Sequence, residues 1–70
     1  MIYPNLRAEL ARKGWTLKHL AELVNVSMES LKKKLAGVTE LRLSEAQRIK
    51  DVLGVDIPLE VLFAKEGEVA

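Results

Sequence analysis

The residues best equipped for chemistry stand in one short stretch: Ser27, Met28, Glu29, Ser30, Lys32, Lys33 and Lys34. A lysine ammonium can donate to a phosphate or to guanine O6 and N7, a glutamate can accept from cytosine N4, and a thioether can pack on a thymine methyl. Together they suit a surface that meets base edges and backbone. Each also has a plainer reading. Three consecutive lysines make a solvated helix face, Glu29 complements the dipole of a helix start, and Met28 can fill the edge of a core.

Other chemistries are poorly provided for. His19 is the single histidine and there is no cysteine, so neither a shared metal nor a thiol nucleophile can be assembled. His19 reads as a surface helix residue. No pair of carboxylates faces a plausible cleft, and no Gly-rich phosphate loop is present. The sequence therefore predicts a protein that is not an enzyme and takes no metal, no cofactor and no small-molecule ligand. Trp15 reads either as a core or edge aromatic beside Gly14 or as an exposed indole at an interface.

The elements that must position the reactive stretch follow from helical spacing and cap residues. Asn5 can cap a first helix over residues 6–13, with Leu6 and Leu10 on one face and Gly14 as its stop. Thr16 caps a second helix over 17–24, where Leu17, Leu20, Ala21 and Val24 recur at helical period. Asn25 accepts the left-handed conformation needed for a sharp corner, and Val26 plugs it. Ser27 caps a third helix over 28–36, with Leu31 and Leu35 inward and Gly37 as its stop. Ser44 and Gln47 form a capping-box pattern opening a fourth helix, with Ala46, Ile49, Val52 and Leu53 inward and Gly54 ending it. Pro58 suits the first turn of a last short helix carrying Leu59, Leu62 and Phe63.

At about 100° per residue, the third helix turns Leu31 and Leu35 inward and leaves Glu29, Lys32, Lys33 and Ala36 outward. Met28 and Lys34 fall on the borders and Ser30 on the flank. The charge distribution agrees with this polarity. Net charge is +1, yet residues 1–39 sum to +4 and residues 40–70 to −3. One half suits phosphates and the other suits a partner subunit.

The chain has 70 residues, 49% of them apolar, enough for one small domain with only a few kcal/mol of net stability. It is read as a single domain over 1–64 with a flexible tail over 65–70. No apolar run approaches the roughly 20 residues of a membrane span, and the expected location is the cytoplasm, with no membrane partner.

Taken together, Asn5 to Glu9, Ala11 to Gly14, Thr16, Leu20, Ala21, Val26, Ser27, Lys34, Gly37 and Leu43 to Ala46 resemble the Cro/repressor (XRE-like) helix-turn-helix family. The likeness runs over about residues 5 to 63 and is strongest to short phage or prophage transcriptional regulators. It implies an all-α, five-helix, lambda-repressor-like fold whose third helix enters the major groove of a double-stranded DNA operator. Leu17 stands where the family commonly has Gln, Asn25 where it has the turn Gly, and Val38 where a basic residue is frequent. Leu10 and Leu35 occupy the places of a buried Arg–Glu pair found in some phage repressors, an exchange that is often neutral or stabilising.

The resulting expectation is a sequence-specific transcriptional regulator, with a protein-interaction module of the same fold, such as an antitoxin or antirepressor-like partner, as the alternative. DNA contacts are expected from Lys18, Ser27, Met28, Glu29, Ser30, Lys32, Lys33, Lys34, Thr39 and Arg42. A weak homodimer is expected to form through Leu59, Leu62 and Phe63, together with the loop over 38–43.

Overall fold

Pro4 opens the first helix, because at this position its missing N–H would have been unpaired in any case and its fixed φ is already helical. In the computed structural model, which describes residues 1–67, α1 spans Pro4–Lys13. The expected cap, Asn5, is thus already inside the helix. Its side chain is released from capping, and Nδ2 donates to the carbonyl of Val61 at 2.8 Å, tying α1 to the last helix. Gly14 closes α1 in the left-handed conformation, φ 69°.

α2 (Leu17–Leu23) and α3 (Met28–Leu35) start as their caps dictate. Thr16 Oγ1 accepts from the His19 amide and Ser27 Oγ from the Ser30 amide, both at 3.1 Å. Between them Asn25 takes φ 59°, and the Val26 amide returns to the Ala21 carbonyl at 3.0 Å. Ala21 is 2% exposed; its small side chain allows α3 to approach α2 closely. An eight-residue helix is unstable alone in water. α3 persists because Leu31 and Leu35 are buried, each worth about 1.5–3 kcal/mol.

α4 spans Leu43–Leu53 and begins earlier than the Ser44 and Gln47 pattern predicts. Arg42 is the N-cap residue, and its amide donates to Glu45 Oε1 at 3.0 Å. A carboxylate three residues on is a charge-assisted acceptor near the positive end of the helix, and it outcompetes the neutral pair. Ser44 is left exposed, and Gln47 Nε2 donates instead to Asp51 Oδ1 at 3.0 Å. α5 is the short Leu59–Leu62, with Pro58 as its N-cap. No strand occurs among the described residues.

The core gathers Leu6, Leu20, Leu31, Leu35, Ile49 and Leu62, each less than 2% exposed or close to it, with Leu10, Val24 and Leu53 around them. Leu17, Val26 and Val52, expected inside, are only partly buried against this cluster. Tyr3, by contrast, is buried and meets Phe63 edge to face at 5.4 Å. The chain start is held on both sides, since the Ile2 amide donates to the Leu35 carbonyl and the Ile2 carbonyl accepts from the Glu66 amide, each at 2.9 Å. Glu66, expected to be tail, is therefore bonded to the N-terminal segment. The end of that expected tail, 68–70, falls outside the described residues. Gly37 is required where the segment crosses: a Cβ there would stand 3.0 Å from Ile2 Cδ1, and φ is +81°.

Candidate nucleic-acid interface

The exposed side of α3 carries Met28, Glu29, Lys32 and Lys33, all open to solvent, with Ser30 half-buried on the flank. Met28 is 48% exposed, so about half of its side chain is open to a partner. Consecutive helical residues are about 100° apart, so Lys32, Lys33 and Lys34 leave the helix on three different sides. Their surroundings differ accordingly. Lys33 Nζ lies 3.9 Å from Glu29 Oε1, one turn earlier, and both side chains stay largely in water at 56% and 82% exposure. Lys34 points to α4, where its ammonium donates to Glu45 Oε2. No ion pair to Lys32 occurs among the described residues.

Lys34 thus departs from the sequence expectation of a lysine free for DNA. Its side chain is 21% exposed and that of Glu45 25%. The hydrogen bond from Lys34, then that from the Arg42 amide, holds the Glu45 carboxyl below its ordinary value of 4.5. Both oxygens of this carboxylate are occupied, and it joins α3 to the start of α4. The motif carries a legible signal for one half of the arrangement, since Glu45 sits three residues after Arg42. The other half depends on how α3 and α4 pack.

The remaining expected contacts are exposed or nearly so. Lys18 lies in the first turn of α2, and Ser27 precedes α3 with its hydroxyl engaged as the cap. Thr39 and Arg42 lie in the loop between α3 and α4. The Val38 and Thr39 amides turn back to the Lys33 carbonyl at 3.0 and 3.4 Å, so these two amides are engaged within the protein. At the start of α2 stands a small cluster that the sequence does not announce. Lys13 Nζ is 5.4 Å from the Trp15 ring centroid, and His19 meets the same ring edge-on at 5.0 Å. Trp15 is half-buried, an edge aromatic in contact with a cation and an imidazole.

The expected partner surface needs revision at one residue. Leu62 is fully buried in the core cluster and offers nothing to a second subunit. Leu59 and Phe63 are partly buried and line a groove of about 670 Å³ with Ile2, Tyr3, Leu41 and Leu43. The most exposed large apolar side chains among the described residues are on the rim of this groove, Val38 in the loop at 72% and Leu43 at the start of α4 at 73%.

No group of three or more His, Cys, Asp or Glu capable of holding a metal occurs among the described residues. Nor is any described helix long and apolar enough to cross a membrane. A left-handed corner at Asn25, capped helices on either side and a cationic exposed face on the second of them define a helix-turn-helix DNA-binding domain. The chain belongs to the Cro/C1-type HTH DNA-binding domain family, whose model matches residues 5–62. No curated protein and no solved structure matches it.

Proposed function

We propose that the protein is a sequence-specific, phage-repressor-like transcriptional regulator whose α3 reads the major groove of an operator. The observation that carries this reading is the exposure of Met28, Glu29, Lys32 and Lys33 on one helix, while Leu31 and Leu35 anchor that helix in the core. Glu29 and Lys33 are the base readers, Met28 packs on a thymine methyl, and Lys32 meets backbone or base at the edge. Lys18, Ser27, Thr39 and Arg42 contact phosphates, which position the helix without specifying sequence.

One such helix reads too few base pairs to single out a site, so two copies bind half-sites about 34 Å apart on a two-fold axis. The groove lined in part by Val38 and Leu43 supports pairing of two copies there: both side chains protrude into water, and identical patches can cover one another across a two-fold axis. Pairing is weak in free solution, because the apolar surface is small.

Selection of bound sequences from random duplex DNA, followed by a salt series, tests the reading. A palindromic preference and affinity that falls steeply with salt are expected. Retention of no sequence and no salt-dependent binding would instead identify a protein-interaction module.

A further inference from the structure

We propose that Glu45 is a built-in counter-charge that occupies the Lys34 ammonium and keeps it off the DNA backbone, leaving only Lys32 and Lys33 of the lysine run available to the duplex. The inference rests on the reading of α3 as the DNA-contacting helix. It makes Glu45 a positioning residue for DNA binding, acting through Lys34.

Two ion pairs on the same helix show the difference. The Glu29 partner of Lys33 is 82% exposed and 3.9 Å away. Such a loose surface pair contributes little and yields readily to a competing phosphate. Lys34 and Glu45 are both mostly shielded, and their contact is a hydrogen bond between charged groups, the stronger kind. Glu45 is held by a second bond as well. Its other oxygen, Oε1, holds the Arg42 amide at the start of α4, so moving the carboxylate would uncap a helix as well as break the pair. Lys34 and Glu45 also line one small cavity of about 170 Å³ together with Val26, Leu41, Arg48 and Ile49, which places both side chains in the crevice between α3 and α4. Three adjacent lysines thus do not amount to three phosphate contacts.

The test compares salt dependence on one mixed-sequence duplex, from about 50 to about 200 mM salt, for the unmodified protein, Lys34→Met, Glu45→Gln, the double variant and a Lys18→Met control. Each phosphate contact adds about 0.9 to the slope of log affinity against log salt. Lys34→Met keeps the stem and should leave the slope unchanged, whereas Lys18→Met, at an assigned phosphate contact, should lower it by about 0.9. Glu45→Gln retains a carbonyl oxygen for the Arg42 amide but releases the ammonium. It should steepen the slope by about 0.9, an extra loss of about 3-fold across the salt range. The double variant should return to the original slope.

A slope lowered by Lys34→Met, or one left unchanged by Glu45→Gln in a protein that still melts cooperatively, overturns the proposal. Should Glu45→Gln not fold, the Lys34→Met arm decides. Absence of salt-dependent binding in the unmodified protein is a distinct result, since it defeats the DNA reading of α3 and this inference with it.

Discussion

Asn5 Nδ2 donates to the Val61 carbonyl at 2.8 Å, a hydrogen bond that spans 56 positions of the chain and joins its first helix to its last. α5 has only four residues and little propensity to hold its place unaided. Asn5→Ala should therefore lower stability by about 0.5–1.5 kcal/mol, a fall in Tm of about 4–8 °C per kcal/mol for a domain of this size. DNA affinity measured well below the transition should not change. Melts followed by circular dichroism, paired with binding at low temperature, check both parts.

Lys32→Ala and Lys33→Ala should each weaken DNA binding and cost no more than about 0.5 kcal/mol of stability, the usual range for surface substitutions of this kind. Both side chains are exposed, and the Lys33–Glu29 contact is long. Loss of the fold in either variant would show that α3 is oriented otherwise. Lys18→Ala should weaken binding to all sequences alike, as expected of a phosphate contact, and competition with unrelated duplexes distinguishes the two patterns.

Leu35 and Leu10 belong to the same buried cluster, where the family resemblance places an Arg–Glu pair in some relatives. Leu35→Ala should cost about 2–5 kcal/mol, a large share of the few kcal/mol a domain this small has to lose. Urea unfolding gives the number directly. A loss under about 1 kcal/mol would mean that the apolar replacement contributes less than its burial indicates.

Acid should act through Glu45. Its folded-state carboxyl is held below the ordinary value of 4.5 by Lys34 and then by the Arg42 amide. A lowered value means that the stabilisation is present in full above the unfolded value and is lost as pH falls through the folded one. Glu45→Gln should accordingly lose less stability than the unmodified protein between about pH 5 and about pH 3. Parallel Tm curves over that interval would remove this carboxylate from the acid response.

Leu43 is 73% exposed at the start of α4, so Leu43→Glu should leave the monomer folded while placing a charge in the proposed two-fold contact. On a palindromic duplex the unmodified protein should sediment as two chains per site and the variant as one. Two chains per site in both would put the pairing surface elsewhere. Phe63→Ser is a poorer probe, because the ring packs on Tyr3 and its loss disturbs the core as well.

How much of this was legible in the residues alone follows from the range over which each interaction acts. Thr16 and Ser27 cap amides three residues away, Asn25 needs only its own backbone preference to turn the corner, and Leu17, Leu20, Ala21 and Val24 declare a helix by their period. These are local terms, and sequence by itself determined the helix-turn-helix and the exposed face of α3. The start of α4 departs from the sequence expectation even though its cap is local, because Ser44 with Gln47 and Arg42 with Glu45 compete for one helix end, and in the observed one Glu45 also binds Lys34. The other departures involve partners far apart in the chain. Helical period gives a side chain's angle about its own axis but not what stands opposite. For that reason the pairing of Lys34 with Glu45, the bond from Asn5 to Val61, the burial of Leu62 and Tyr3, and the capture of Ile2 between Leu35 and Glu66 were decided only when five helices packed around one core.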